Sequence, residues 1–269
     1  MPELPEVETV VRTLETKIKD LEITSIDIRY SKIIVGDVNE FKNKLIHEHF
    51  KKFSRRGKYL LFYMDDVVFV SHLRMEGKYY YVDKEMPIDK HTHVIFTLSN
   101  GKELRYHDTR KFGRMEIYPI DYNFSKFHDL GPEPFSDEFN FEYVYSMCHT
   151  KDIPIKAYLL DQSFIAGIGN IYADEILHAC GIRPTRSAKR ITKKDAENIV
   201  SETKKILRKA IDAGGTTIRS YTSSLGVTGK FQLFCNVHAQ KNCHVCNNPI
   251  TVKRIRGRSS YYCKNCQKR

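Results

Sequence analysis

Apolar residues near the start of the chain recur at the spacing of an amphipathic helix. The residues that share this face are Val7, Val10, Val11, Leu14 and Ile18. Pro5 suits the first turn because a helix needs no backbone donor there, and Glu6 and Glu8 suit it because the helix dipole favours acids at that end. The pattern therefore predicts a helix that begins almost at the chain terminus.

Between residues 22 and 120 the pattern changes to short runs of β-branched and aromatic residues. These runs read ITSIDIRY, KYLLFYM, VVFVSHL, KYYYV, HVIFTLS and KELRYH. Asn100–Gly101 is the strongest hairpin turn between them, and Asp65–Asp66 is another tight candidate. Short strands at this spacing are typical of an antiparallel sandwich or barrel. Pro132 and Pro134 then indicate a junction between domains.

Helical patterning follows the two prolines. The segment IKAYLLDQ predicts a short helix, and Asn170 is a candidate cap for a second one. Thr192 and Asp195 resemble a capping box that opens a longer helix, which Gly214–Gly215 would end. The predicted buried stripe of that helix consists of Ala196, Ile199, Val200, Thr203, Leu207, Ala210 and Ile211.

Composition excludes a membrane-spanning protein. The chain has 269 residues, of which 41% are hydrophobic, and its mean hydropathy is -0.47 with no long apolar run. The first twenty residues carry charges throughout and lack the apolar core of a signal peptide. We therefore expect a cytoplasmic protein with reduced thiols, and two domains fit its length.

The net charge of +11 is concentrated at the C-terminal end. No acidic residue follows Asp212, whereas ten basic residues do. A polyanion is the expected partner of such a segment, because basic side chains that neutralise phosphates release counterions. A basic surface that only aids solubility is the alternative interpretation.

Four of the seven cysteines of the chain lie in this basic segment with the spacing C-x2-C-x16-C-x2-C. The four are Cys243, Cys246, Cys263 and Cys266. Two such pairs of thiolates typically hold one tetrahedral zinc ion, so we predict a zinc ribbon with one structural Zn²⁺. Disulfides are the alternative, which the expected reducing compartment disfavours. Cys148, Cys180 and Cys235 lack this spacing and are predicted to be ordinary buried thiols.

Basic residues lie between the two cysteine pairs and would be carried on a hairpin that the metal fixes. They are Lys253, Arg254, Arg256 and Arg258. A hairpin of this kind, held by a structural zinc, could present its arginines to DNA phosphates. The finger is therefore the part of the chain that composition alone links most directly to nucleic acid.

The first three residues place a candidate nucleophile beside a candidate proton donor. Removal of Met1 would expose the secondary amine of Pro2, with Glu3 next to it. A terminal amine has an unperturbed pKa of about 7.7–8.0, against about 10.4 for lysine, and a neutral amine can attack electrophilic carbon. Proline and glutamate are also ordinary residues at a helix start, so these residues alone fit either interpretation.

Further motifs, together with the opening MPELPEVETV and the cysteine pattern, resemble the formamidopyrimidine-DNA glycosylases of base-excision repair. These motifs read RRGKYL, SHLRMEG, DTRKFGRM, LGPEPF, LLDQ, GIGNIYADE and GRSSYYCKNCQ. The resemblance implies an α+β fold whose N-terminal antiparallel β-sandwich begins with a catalytic helix (residues 1–134). A helix-two-turn-helix domain (135–227) and a zinc-ribbon finger (228–269) would follow. The implied partner is damaged double-stranded DNA, which a monomer associated with the nucleoid would bind.

The resemblance also implies a covalent mechanism. In this family the mature N-terminal proline attacks C1′ of the damaged nucleotide, which assigns Pro2 as the nucleophile. Glu3 matches the acid that protonates the sugar ring oxygen. Lys58 matches a lysine that contacts phosphate and assists elimination, whereas its basic neighbours could be a solvated charge run. Arg258 matches the finger arginine that reaches the DNA backbone near the lesion.

Other matched positions are implied to bind DNA and to fill the space that an extruded base leaves. His72 and Asn170 match phosphate contacts, although a lone histidine at a strand end is more often structural. The void-filling triad would be Met75, Arg110 and Phe112, of which Arg110 would pair with the orphaned cytosine. Taken alone, the methionine and the phenylalanine would be assigned to a core.

Two residues are candidates for the lesion pocket, namely Glu76 and Tyr221. The neighbouring segment SSLGVTGKFQ departs from the family pattern NADGEPGYFQ, so the sequence leaves the range of lesions open. Two other functions compete with the glycosylase for oxidised purines. One is an enzyme for oxidised pyrimidines like endonuclease VIII, and the other is a zinc-ribbon DNA-binding protein without catalysis.

Overall fold

The computed structural model of the chain describes residues 1–216 and 229–268. The chain forms two compact units. Unit 1 comprises Met1–Phe124 and Gly214–Gly229, and unit 2 comprises Ser125–Ala213 and Lys230–Arg269. The sequence predicts three domains, with boundaries after residues 134 and 227. This division stays a prediction, because unit 2 contains both the finger and the helices.

Unit 1 begins with helix α1, Leu4–Ile18, as the apolar periodicity predicts. All five residues of the predicted stripe are buried. Glu3 is the N-cap residue, and its backbone N–H donates to Glu6 Oε2 at 2.8 Å. Because the helix starts at the fourth residue, Pro2 and Glu3 are buried directly at its N-terminal end.

Two antiparallel four-stranded sheets build the rest of unit 1, and helix α2, Val38–Leu45, lies between the first two strands in the chain. The strands are β1 (Ile23–Ile28), β2 (Lys52–Arg56), β3 (Tyr59–Tyr63), β4 (Val67–His72), β5 (Lys78–Asp83), β6 (Thr92–Leu98), β7 (Lys102–His107) and β8 (Arg114–Pro119). One sheet has the order β1-β6-β7-β5 and the other β2-β3-β4-β8. Apolar side chains of both sheets and of α1 form one continuous core, which confirms the predicted sandwich.

The predicted hairpin turns are confirmed. Asn100–Gly101 joins β6 to β7, with Gly101 at a φ of 82°, and Asp65–Asp66 joins β3 to β4. A third turn, Gly57–Lys58, joins β2 to β3, and Gly57 adopts a φ of 56° there. The left-handed backbone at this glycine lets the two strands reverse within two residues and places Lys58 at the end of the sheet.

Unit 2 is helical, followed by a hairpin. Its helices are α3 (Phe141–His149), α4 (Ile155–Leu159), α5 (Asn170–Ala179) and α6 (Lys193–Asp212). The predicted capping box of Thr192 and Asp195 opens α6, although Val200 and Ile211 of the predicted stripe are only half-buried. The predicted cap of α5 was wrong by one residue: Gly169 is the N-cap, and Asn170 is the first helical residue.

The finger contains strands β9, Thr251–Ile255, and β10, Arg258–Tyr262. They form the antiparallel hairpin that the sequence predicts. Arg256 and Gly257 turn the chain with φ values of 43° and 79°, the left-handed conformation of a tight hairpin turn. Within residues 1–216 and 229–268, no helix is both long and apolar enough to cross a lipid bilayer.

Candidate active site

The chain terminus of unit 1 is enclosed by protein. Pro2 is buried and Glu3 is 3% exposed, whereas Met1 is 39% exposed. Burial lowers the pKa of the terminal amine of Met1, and the nearby charge of Lys58 lowers it further. The carboxylates of Glu3, Glu6 and Glu76 act in the opposite direction. The terminus, Lys58 and these carboxylates therefore lie within electrostatic range of one another.

Glu6 holds the start of α1 in place, and sequence analysis missed this role. Besides the N–H of Glu3, this buried side chain accepts the Thr216 N–H at 2.8 Å and the Thr216 hydroxyl at 2.9 Å. A Cβ at Gly215, whose φ is +77°, would lie 2.9 Å from Glu6 Oε1, so the backbone can approach this closely only without a side chain. The glutamate was assigned only to the helix dipole because its other partner lies 210 residues away.

The two arginines before Lys58 have partners of their own. Arg55 pairs with Glu8 of α1 at 2.9 Å, and Arg56 Nε donates to the carbonyl of Phe124 at 3.2 Å. These arginines therefore have structural partners within unit 1 and are not a solvated charge run. Lys58, 6% exposed, acts on the terminal amine electrostatically. The structure thus brings together three of the residues predicted for catalysis: Pro2, Glu3 and Lys58.

His72 ends strand β4 as a buried side chain. Its Nδ1 accepts the N–H of Arg74 at 2.9 Å, and its ring packs edge-on against Tyr59, with centroids 4.4 Å apart. An accepting Nδ1 assigns the proton of the neutral ring to Nε2, which is then a donor. This tautomer suits a hydrogen bond to phosphate.

The predicted void-filling residues lie on two loops of unit 1. Phe112 is 47% exposed, which makes a core role wrong for it, and the Arg110 guanidinium carbon lies 4.7 Å from its ring centroid. Met75 is half-buried on the other loop. Glu76, a lesion-pocket candidate, accepts a hydrogen bond from the Thr109 hydroxyl, which links the two loops. The other lesion-pocket candidate, Tyr221, lies outside the described residues.

In unit 2, α5 and the finger are joined at one backbone carbonyl. Asn170 Nδ2 and Lys156 Nζ each donate to the carbonyl of Ser259 at 3.0 Å. Ser259 follows Arg258, the first residue of β10, whose side chain is exposed. Asn170 and Lys156 therefore hold the backbone beside the arginine that is predicted to reach DNA.

A buried ion pair supports this junction, and sequence analysis did not find it. Lys156 Nζ lies 2.7 Å from Asp174 Oδ1, and both side chains are fully buried. Asp174 Oδ2 also contacts His238 Nδ1 at 2.8 Å. Next to it, Glu175 accepts three successive backbone N–H groups, of residues 236, 237 and 238, at 2.7–3.0 Å. Two acids of α5 thus fix the segment that enters the finger.

The four cysteines of the finger form a compact cluster whose sulfur atoms all lie within 4.8 Å of one another. Tetrahedral zinc with Zn–S distances of about 2.3 Å requires sulfurs about 3.8 Å apart. Two of the sulfur pairs, Cys243–Cys266 and Cys246–Cys263, are 3.8 and 3.4 Å apart. A hydrogen bond from Asn248 lowers the pKa of the Cys246 thiol to about 6, which favours the thiolate that binds metal. The cluster therefore fits a structural metal ion such as zinc.

None of the seven cysteines, all of which lie in the described part of the chain, is in a disulfide. Cys148 and Cys235 are buried, as predicted, and Cys180 is half-buried. A third link joins α5 to the finger, since His178 Nε2 lies 3.3 Å from Cys243 Sγ. The finger is therefore tied to α5 through its metal-site cysteine as well as through its backbone.

Comparison with known proteins gives the same picture along the whole chain. Residues 1–115 match the formamidopyrimidine-DNA glycosylase N-terminal domain, and residues 130–222 match the H2TH domain of these enzymes. The chain is 44% identical over 273 residues to a formamidopyrimidine-DNA glycosylase of Oceanobacillus iheyensis, covering 99% of this chain and 98% of the other. It is 43% identical to that of Bacillus subtilis, with 99% of both covered.

Solved structures agree in fold. A Lactococcus lactis FPG mutant in complex with Fapy-dG containing DNA superimposes with a TM-score of 0.95 at 36% identity over 100% of both chains. The L. lactis Fpg with an abasic site containing DNA gives a TM-score of 0.94, also at 36% identity, over 99% of this chain and 100% of that one. From these matches and the architecture described above, we conclude that the chain belongs to the formamidopyrimidine-DNA glycosylase family.

Proposed function

We propose that the chain is a bifunctional DNA glycosylase and abasic-site lyase of base-excision repair. Its substrates are oxidised purines in double-stranded DNA, such as 8-oxoguanine opposite cytosine and ring-opened formamidopyrimidines. One observation supports this most directly: the chain terminus, in which Pro2 and Glu3 are buried, lies within electrostatic range of Lys58, Glu3 and Glu6, and partial burial lowers the pKa of the terminal amine there. A neutral amine is the form that can form a Schiff base.

Catalysis would begin with the mature terminus, after removal of Met1. The neutral amine of Pro2 attacks C1′ of the damaged nucleotide; the bond from C1′ to the base breaks, and the base leaves with the proton that the amine nitrogen loses. Glu3 in its protonated form donates to the ring oxygen, the sugar opens, and an iminium links Pro2 to C1′. Loss of a C2′ proton then expels the 3′ phosphate and a second elimination expels the 5′ phosphate. Water finally hydrolyses the adduct and restores the amine.

Each unit would contribute phosphate contacts that position the DNA without reading its sequence. In unit 1 these are Lys58, which also assists elimination, and His72, whose Nε2–H would donate a hydrogen bond to a phosphate oxygen. In unit 2 they are Asn170, at the start of α5, and Arg258 on the finger. One zinc ion held by the four cysteines would keep the finger folded, so that Arg258 stays beside the Ser259 carbonyl that Lys156 and Asn170 bind.

Extruding a base from the DNA duplex costs a few kcal/mol of stacking and pairing free energy, so protein side chains must fill the space that it leaves. Phe112 would wedge between base pairs, Arg110 would hydrogen-bond the orphaned cytosine, and Met75 would fill the vacated space. Exposure of Phe112 on a short loop supports this role, because an apolar ring left in water is available for stacking. Glu76 and Tyr221 are proposed for the lesion pocket. The protein would act as a monomer on nucleoid DNA in the cytoplasm.

Parallel cleavage of two duplexes tests this function. We expect the purified chain to cut an 8-oxoguanine·cytosine duplex at least about tenfold faster than a matched thymine-glycol·adenine duplex, a difference of about 1.4 kcal/mol in barrier. The reverse preference would favour an enzyme for oxidised pyrimidines. Cleavage of neither duplex by a zinc-loaded chain that lacks Met1 would favour a DNA-binding protein without catalysis.

A further inference from the structure

Asp108 organises the loop that carries Arg110 and Phe112. Its side chain is fully buried, directly before that loop. Oδ1 accepts the N–H of Arg110 at 3.0 Å, and Oδ2 accepts the N–H groups of Phe112 and Gly113, each at 2.9 Å. Hydrogen bonds to a carboxylate are about twice as strong as those between neutral groups. One buried carboxylate therefore fixes the backbone on both sides of the two exposed side chains.

The backbone of Asp108 is held as firmly as its side chain. Its N–H donates to the carbonyl of His91 at 3.0 Å, and its own carbonyl accepts His93 Nε2 at 2.8 Å. Burial lowers the pKa of His93, so that the ring is a neutral donor near pH 7. Lys111 then turns the loop with a left-handed φ of 58°. The loop is anchored to strand β6 and the segment before it, which makes its base part of the sandwich.

Tyr106 connects this loop to the one that carries Met75. The tyrosine is fully buried, and its hydroxyl lies 3.4 Å from Asp108 Oδ2. A Cβ at Gly113 would lie 1.7 Å from that hydroxyl oxygen, and a Cβ at Gly77 would lie 2.2 Å from it. Both loops therefore close onto the same hydroxyl, and each does so at a glycine because a side chain would collide.

A second link lies nearer the surface, where the Thr109 hydroxyl donates to the Glu76 carboxylate. Thr109 precedes Arg110, and Glu76 follows Met75. The two loops that bear the void-filling side chains are thus joined at their bases by Tyr106 and at their rims by this pair. The side chains of Met75, Arg110 and Phe112 are therefore carried by two loops that are fixed to each other.

We propose that Asp108 is a positioning residue that sets the discrimination between bases opposite the lesion, and that Tyr106 transmits this order to the loop of Met75. The inference rests on the proposed function, in which Arg110 reads the orphaned base. A guanidinium on a fixed backbone meets cytosine with correct hydrogen-bond geometry and leaves a purine unpaired, whereas a guanidinium on a mobile loop adapts to either. Discrimination therefore requires the loop to be ordered before DNA binds.

The variants Asp108→Asn and Tyr106→Phe test this role. Asparagine keeps the shape, but its NH2 replaces one of the two acceptor oxygens, so at least one of the three N–H groups faces a donor instead of an acceptor. Phenylalanine removes only the hydroxyl between Gly77 and Gly113. The measurement is the ratio of 8-oxoguanine excision rates opposite cytosine and opposite adenine. We expect this ratio to fall about tenfold or more in Asp108→Asn and about threefold in Tyr106→Phe.

A single-stranded abasic oligonucleotide supplies the control, because it has no opposite base. Lyase activity on this substrate is expected to stay at the wild-type rate in both variants, which a general loss of structure would not allow. If Asp108→Asn loses this activity through misfolding, Tyr106→Phe decides alone. Wild-type ratios in a variant with normal single-strand activity would overturn the inference and leave the proposed function standing. A wild-type chain that does not excise 8-oxoguanine opposite either cytosine or adenine would overturn both the inference and the proposed function.

Discussion

The terminal amine shows how single charges set the reactivity of a site. Only the neutral amine reacts, so adduct formation should rise with pH through the amine pKa and then level off. The positive charge of Lys58 lowers this pKa, whereas the negative charge of Glu76 raises it. Once Met1 is removed, the amine of Pro2 lies beside the same two charges, which should act on it with the same signs.

Substitutions at these two positions should move the pH profile in opposite directions. Lys58→Met removes a charge that disfavours the ammonium, so the amine pKa rises and the midpoint moves to higher pH. Glu76→Gln removes a charge that favours the ammonium, so the midpoint moves to lower pH. The rate of borohydride trapping on a single-stranded abasic oligonucleotide, followed between about pH 6 and pH 9, measures both midpoints. Midpoints that equal the wild type in both variants would contradict the electrostatic account.

The sequence predicts residues that would carry the chemistry, but it gave no indication of the residues that hold them in place. Pro2, Glu3 and Lys58 lie in recognisable motifs, and the charges of Glu3 and Lys58 act on the chain terminus. Glu6 was assigned only to the helix dipole, and Asp108 was passed over as part of a motif. Both accept hydrogen bonds from several backbone N–H groups, and such a role depends on how the chain returns in space. A local pattern in the sequence has no signal for it.

Among the elements, α5 makes several of the contacts that fix the finger. Its two adjacent acids face different partners: Asp174 pairs with Lys156, and Glu175 binds the backbone of residues 236–238. Apolar periodicity predicted the long helices because burial of one face sets their spacing. The cap of α5 was predicted one residue late, because Asn170 is a typical capping residue whereas its side chain here donates to the Ser259 carbonyl on the finger. The contact between Asn170 and the finger therefore outweighs the preference of asparagine for the N-cap position.

Removing one partner of the buried Lys156–Asp174 ion pair should destabilise the protein more than removing both charges. Lys156→Met leaves the Asp174 carboxylate buried beside His238 without its lysine partner, and we expect a loss of about 3–5 kcal/mol in the free energy of unfolding. The double variant Lys156→Met, Asp174→Asn removes both charges and should lose less. Urea unfolding of the zinc-loaded chain measures both values. A loss below about 1 kcal/mol in the single variant would show that the pair contributes little.

For the molecule as a whole, the placement of charge matters more than its total. The chain has a net charge of +11, and all ten basic residues after Asp212 lie in a stretch without acids. Composition therefore predicted a polyanion as partner before any motif was considered. The range of lesions could not be predicted, since it depends on how segments distant in sequence surround one base.

Arg258→Ala should weaken binding to every duplex alike. Loss of one phosphate contact lowers affinity and reduces the slope of log K against log[salt] by about one, with the preference among lesions unchanged. Lys194→Ala is a matched control, because this exposed lysine on α6 already pairs with Glu197 at 3.1 Å. We expect the control to keep the wild-type slope in titrations at several salt concentrations. A changed lesion preference at unchanged affinity in Arg258→Ala would contradict a phosphate contact.

The most direct test of the account is to locate the covalent bond. Borohydride reduction of the reaction with an abasic duplex, followed by proteolysis and mass spectrometry, identifies the residue that carries the sugar. We predict a single adduct on the amine of Pro2 in a chain that lacks Met1, and its loss in Pro2→Gly or in a chain with an N-terminal extension. An adduct on a lysine, or full activity in a chain that retains Met1, would contradict the central claim.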